Sequence, residues 1–262
     1  MRLQIVGGGK MGEALLGGLL DTQWATPEAI AVVEAVSARR DDLAGRFPGV
    51  TVRDTVLDQV DAIVAVKPDV VDAVCRALGV AGVRRVLSIA AGVPLARLER
   101  SLAAGAAVVR AMPNTPALVG CGAAAIAVGA HAGPGDRAWA ESILSSVGTV
   151  ETVDESLLDA VTGLSGSGPA YVFLLAEALI DAGVTVGLPH DVSVRLTRQT
   201  LLGAATLLVS SADPPEVLRR NVTSPGGTTA AGLAVFDAGD FRGLVARVVQ
   251  AATERSRELG AG

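Results

Sequence analysis

Aromatic residues are scarce in this chain of 262 residues, which holds two tryptophans, one tyrosine and four phenylalanines. That leaves no surface for stacking nucleobases. Half of the residues are apolar, chiefly Ala, Val and Leu, which suits tightly packed helices around a buried sheet. Basic runs are missing too, and a net charge of −5 argues against a nucleic-acid partner. Cys75 and Cys121 are the two cysteines, too few for a disulfide framework, so a reducing, cytoplasmic setting is expected. No leader peptide is expected, because MRLQIV is a strand-length apolar run followed at once by glycines. The charge-free apolar stretch around 121–130 is too short to span a bilayer. The chain therefore reads as soluble, with no membrane partner and no metal site expected.

What is present begins with a rhythm. β-rich runs near 2–6, 29–34, 61–66, 84–89, 106–110, 123–128 and 147–152, with a weaker VTV at 50–52, alternate with helical patterns at 10–21, 37–46, 69–78, 94–103 and 134–146. Such alternation predicts an α/β fold, a parallel sheet covered by helices and doubly wound like a Rossmann domain. From about 154 the pattern becomes helical throughout, over 155–183, 190–210, 214–221, 228–238 and 240–259. Two domains are expected: 1–153 for a dinucleotide and 154–262, all-helical, for substrate and dimerisation. Residues 155–183 and 240–259 carry apolar side chains on more faces than one small domain can cover, which calls for a second copy.

LQIVGGGKMGEALLGGLL is a strand, a glycine turn and a helix. Gly7, Gly9 and Gly12 form G-x-G-x-x-G directly after the first strand, where the motif binds a pyrophosphate. Lys10 and Met11 lie inside the motif and join the candidate cofactor contacts. Glu34 ends the second strand and can bond the adenosine ribose, which favours NAD. Arg39 and Arg40 follow it and could accept a 2′-phosphate, so both cofactors stay open on these residues. Val66, Lys67 and Pro68, in VAVKPDVV, fall at the carboxyl edge of the next strand, where ligands of such sheets sit.

Three further stretches combine glycine, proline and hydroxyls. RAMPNTPALVG places Asn114 between Pro113 and Pro116 at a strand end. TGLSGSGPAY sets Ser165, Gly166, Ser167 and Gly168 before a long helix. That pattern fits either tight packing or a substrate or nicotinamide contact. TSPGGTTAAG at 223–232 opens another helix, and its residue types fit plain helix capping or an anion cradle built from unpaired N–H groups.

The G-x-G-x-M-G start, AVKP, RAMPNTP, SGSGPAY and SPGGTT, in this order, resemble pyrroline-5-carboxylate reductase over essentially the whole chain. The resemblance implies reduction of 1-pyrroline-5-carboxylate to L-proline by NADP(H), with NAD(H) as the alternative. It also implies a homodimer, within a pentamer of dimers in the larger ring. In that light Ser224, Gly226, Gly227, Thr228, Asn114 and Ser165 are candidate substrate contacts, Thr229 is the candidate catalytic residue facing the ring nitrogen, and Asn114 also reaches the cofactor. Glu34 departs from the small or basic residues that NADPH-preferring members carry there. A cyclic imine suits this chain because its nitrogen arrives protonated or takes a proton from water or a hydroxyl. A ketone would need a Lys, His or Tyr acid. Lysine is confined to Lys10 and Lys67, and His131 and His190 sit in turn-like segments. The rivals are a 3-hydroxyacid or 6-phosphogluconate-type dehydrogenase, which would need a lysine in 155–183, and a non-catalytic NAD(P)-binding redox sensor.

Overall fold

The structure is a computed structural model that describes residues 1–260. Its strands are β1 (Leu3–Val6), β2 (Ile30–Val33), β3 (Thr51–Arg53), β4 (Ala62–Val64), β5 (Arg85–Ser88), β6 (Ala107–Met112), β7 (Gly122–Val128) and β8 (Gly148–Thr152). They form one sheet in the order β3-β2-β1-β4-β5-β6-β7-β8. The order reverses between β1 and β4, and ligands of such sheets bind in the crevice at that switch. β1, β2 and β4 read LQIV, IAVV and AIV because both faces are covered. Gln4, fully buried in β1, is satisfied by the Leu57 and Val60 carbonyls (3.0 and 2.9 Å) and the Leu57 N–H (2.9 Å).

One pairing differs from the all-parallel expectation: β7 runs antiparallel to β6, while β8 runs parallel to β7. Only the one-and-a-half-turn segment Thr115–Val119 separates β6 from β7, and a connection without a crossover helix must double back.

The helices of this part are α1 (Lys10–Asp21), α2 (Ser37–Arg46), α3 (Val71–Val80), α4 (Leu95–Ser101) and α5 (Pro134–Leu144). Leu15, Leu16 and Leu19 of α1 pack with Leu43 of α2 and with Trp139 and Ile143 of α5 on one face. Val71, Cys75 and Leu78 of α3 and Leu98 of α4 cover the other.

The expected single helix over 155–183 is interrupted. A turn at Glu155–Leu157 leads into α6 (Leu158–Val161), then a π-helical segment at Thr162–Gly166, then α7 (Gly168–Thr185). Ser167 N–H reaches the Thr162 carbonyl at 2.8 Å, five residues back. Gly166 packs on Met112: a Cβ there would lie 2.5 Å from the methionine Cε. The remaining helices are α8 (His190–Ser210), α9 (Pro215–Asn221), α10 (Thr228–Ala238) and α11 (Phe241–Gly260). By length and composition the run Glu155–Thr185 could cross a membrane, with a mean hydropathy of 1.3. It is thus a longer apolar run than 121–130, and its glycines, serines and proline disguise it in the sequence.

Two compact units emerge. The first is Met1–Ser167 with the residues from Gln250 onward, and the second is Gly168–Val249. By contacts α6 and the last turns of α11 group with the sheet. Ser256 Oγ donates to Asp159 Oδ1 at 2.6 Å. Within the second unit, α7 and α8 touch so closely that a Cβ on Gly183 would stand 2.2 Å from Ser193 Oγ. Only Ser193 and Thr197 are buried in this unit, while Phe173 and Leu174 are 62% and 66% exposed.

Candidate active site

The dinucleotide turn is built by three glycines with different duties. Gly7 leaves β1 at φ +109°, and a Cβ there would meet the Ala65 carbonyl oxygen at 2.4 Å. A Cβ on Gly12 would come within 2.1 Å of the Gly7 carbonyl oxygen, so this glycine lets α1 press on the turn. Gly9 is the N-cap of α1, and nothing lies within 4 Å of its Cβ position. That open space faces the free N–H groups of the α1 start, as a pyrophosphate requires. A cavity of about 700 Å³ continues from here, lined by Gly7, Gly9, Glu34, Asp54, Val66 and Lys67. A dinucleotide cofactor fits these residues. Lys10 is exposed at the first position of α1, Met11 is half-buried, and Pro68 is exposed and does not line the cavity.

Around that cavity the charges are tied down. Glu34 accepts from Gly8 N–H and from Val36 N–H, both at 2.9 Å. Arg39 donates through Nε to the Gly8 carbonyl at 2.8 Å and pairs with Glu13 and Asp42. Burial alone would push the Glu13 carboxyl up, but its bonds from Arg39 and Arg46 outweigh this and hold it below the usual glutamate value. The Glu13 bond likewise holds Arg39 above the usual arginine value against desolvation. Sequence inspection missed Glu13 and Asp54; the signal for Glu13 was an acid in the first turn of the motif helix.

The Asn114 amide is held in place at both ends. Nδ2 donates to the Ser165 carbonyl at 3.0 Å, and Oδ1 accepts from Ala123 N–H at 2.9 Å. It braces the Pro113–Pro116 loop between β7 and the π-helical turn. Ser165 Oγ bonds back to the Val161 carbonyl at 3.1 Å, as hydroxyls inside helices do.

The TSPGGTT stretch lies in the second unit. Pro225 and Gly226 sit at the centre of a turn closed by Gly227 N–H to the Ser224 carbonyl, 3.0 Å, with Gly226 at φ +70°. The Gly227 N–H is therefore engaged, which corrects the expectation that it serves the cradle. Its missing side chain matters instead, because a Cβ would stand 2.4 Å from Ser224 Oγ. α10 then starts with Thr228. The N–H groups of Thr228, Thr229 and Ala230 have no acceptor among the described residues, and no acidic residue occupies the first turn. The hydroxyls of Thr228 and Thr229 are exposed and unbonded among the described residues. Thr223 and Ala230, on either side, border a cavity of about 430 Å³ that also holds Arg219, Arg220 and Arg242. Those arginines went unnoticed in the sequence although Arg219 and Arg220 nearly adjoin the motif.

Residues 155–259 match the family description "Pyrroline-5-carboxylate reductase dimerisation", and residues 2–92 match "NADP oxidoreductase coenzyme F420-dependent". The pyrroline-5-carboxylate reductase of Synechocystis sp. is 45% identical over 267 residues, covering 99% of this chain and 98% of that protein. This chain belongs to the pyrroline-5-carboxylate reductase family. Two solved reductases agree in fold. That of Coxiella burnetii superposes with a TM-score of 0.91 at 34% identity, covering 98% of each chain. That of Plasmodium falciparum, solved with NADP bound, gives 0.85 at 30% identity, covering 99% of this chain and 98% of the other. The helical region is accordingly an oligomerisation domain, which accounts for a unit with so little buried side chain. A 6-phosphogluconate-type reaction loses its ground, since no lysine occurs in 155–185.

Proposed function

We propose that this member of the reductase family reduces 1-pyrroline-5-carboxylate to L-proline, the closing step of proline synthesis, using NADP(H) or NAD(H). The reading is supported by the start of α10, where three N–H groups and two threonine hydroxyls have no partner among the described residues and no acid occupies the first turn. Helix N-termini bind anions, and a carboxylate there needs no bulky cation. We assign the substrate carboxylate to the N–H groups of Thr228, Thr229 and Ala230 with the Ser224 hydroxyl, Gly226 and Gly227 shaping the turn. Thr229 Oγ1 is assigned to the ring nitrogen, which changes from iminium to amine as the neighbouring carbon is reduced. The bound dinucleotide, held by Gly7, Gly9, Gly12, Glu34 and Lys67, supplies the hydride. Asn114 and Ser165 remain assigned as substrate contacts, with the Asn114 amide held on the Ser165 carbonyl.

The assembly fits at least a homodimer, and we extend it to a pentamer of dimers on the strength of apolar side chains left on several faces of the helical unit. Two free cysteines suit a reducing compartment, and we place the enzyme in the cytoplasm. The test is spectrophotometric: NADH or NADPH consumption should depend on added pyrroline-5-carboxylate and yield proline. A protein that binds dinucleotide yet leaves the imine unreduced overturns this reading.

A further inference from the structure

The charges around the cofactor cavity bear on which dinucleotide this chain takes. The cavity is lined by three carboxylates, Glu34, Asp54 and Asp69, against the single cation Lys67. Neither Arg39 nor Arg40, the two candidates for a 2′-phosphate, lines it. Arg40 turns its guanidinium onto the carbonyls of Glu34 and Ala35 at 2.9 and 2.7 Å. Arg39 is more firmly held, by Glu13, by Asp42 and by the Gly8 carbonyl. Glu13 is itself clamped by a second arginine, Arg46, and its side chain is only 17% exposed. Arg53, at the end of β3, gives one bond to Thr55 at 2.9 Å and likewise does not line the cavity.

A 2′-phosphate brings close to two negative charges, and a guanidinium is the group that matches it. In this chain the guanidinium would first have to leave a partly buried carboxylate that a second arginine keeps ionised. At the same time the phosphate would lie near Glu34, whose carboxylate is fixed by two backbone N–H groups and cannot swing away without orphaning them. Attraction is withheld and repulsion retained. We propose that Glu13 is a specificity-determining residue that sequesters Arg39, so that together with Glu34 it makes NADH the preferred hydride donor. This rests on the reductase reading above.

The test combines equilibrium binding with rates on the full-length protein. Calorimetric titration with NADH, NADPH, ADP and 2′,5′-ADP reports affinity without turnover, and kcat/KM for each dinucleotide is measured with the imine substrate. The wild type is expected to favour NADH at least tenfold and to bind ADP more tightly than 2′,5′-ADP. Glu13→Gln removes the strongest charge holding Arg39, leaving Asp42 and the Gly8 carbonyl, and should move the NADPH/NADH ratio three- to tenfold toward NADPH, chiefly through Kd and KM for NADPH. Glu13→Gln with Arg39→Ala should lose that gain, which a merely structural Glu13 would not produce. Glu34→Ser, an independent arm, should move the ratio ten- to thirtyfold in the same direction. A wild type that prefers NADPH overturns the proposal, as does a Glu13→Gln ratio that stays unchanged or falls equally for both cofactors. Failure of the imine to react, with the affinity order intact, would sink the reductase reading and leave this one standing.

Discussion

Arg110, near the end of β6, donates to Glu155 at 2.9 Å, and its side chain is only 9% exposed. The same Glu155 oxygen accepts the Leu95 N–H at 2.7 Å, so one carboxylate fastens the sheet, the start of α4 and the head of the long helical run. Replacing Glu155 by Ala leaves a nearly buried guanidinium without its partner. Because Glu155 is one-third exposed, the expected loss is about 1–3 kcal/mol, below the range for a fully buried pair. Thermal denaturation should show it as a lower Tm, with Glu155→Gln losing less because it can still accept from Leu95.

The glycine turn separates folding from binding. Gly9→Ala adds a methyl into open space at an ordinary φ of −69°, so Tm should stay near that of the wild type. The same methyl occupies the approach to the pyrophosphate, and dinucleotide affinity should fall at least tenfold. Gly12→Ala instead drives a methyl into the Gly7 carbonyl and should lower Tm as well. Parallel calorimetry and melting curves decide whether the two glycines divide their work this way.

At the cradle, Thr229→Val keeps shape and β-branching but removes the hydroxyl. Loss of one hydrogen bond at the imine nitrogen should lower kcat/KM by about ten- to a hundredfold, or roughly 1.5–3 kcal/mol. Gly227→Ala pushes on Ser224 Oγ and should raise the substrate KM first. Dinucleotide Kd should stay within about twofold in both. Full kcat/KM in Thr229→Val with folding intact would hand the proton to solvent.

The two cysteines should differ sharply toward a thiol reagent. Cys75 is fully buried, and burial, with the Asp72 carboxylate adding to it, pushes its thiol up to about 11. Cys121 is exposed. At pH 8 about one Cys75 in a thousand is thiolate, so the native protein should show one fast thiol, Cys121, and release the second only on denaturation.

The alternation of strands and helices, and the weak VTV strand at the sheet edge, could be read because each element carries its own period and turn chemistry. The antiparallel β7 could not, since strand direction depends on the connection. The break at Thr162–Gly166 escaped as well, because a π-turn closes through backbone bonds that leave helical periodicity nearly intact. Site legibility followed the same division. Gly7, Gly9 and Gly12 announce themselves by spacing. The partners of Asn114, Ser165 and Ala123, could not be named from the sequence because they lie in other elements, and the Gly227 amide was claimed by its own turn. Glu13 and Arg39 are far apart in sequence, so their pairing needed three dimensions.

Residues 250–260 of α11 pack with the sheet unit although the whole of Gly168–Val249 intervenes. Gly92, at φ +73°, lies 3.6 Å from the Leu259 Cβ at its would-be side-chain position, and Ser256 reaches back to Asp159. During synthesis, then, the nucleotide-binding half emerges early but waits for the entire helical segment before its last contacts can close. A chain synthesised only as far as residue 249 would leave Asp159 without the Ser256 hydroxyl. The last contacts of the sheet unit are therefore made by residues synthesised after the whole helical segment.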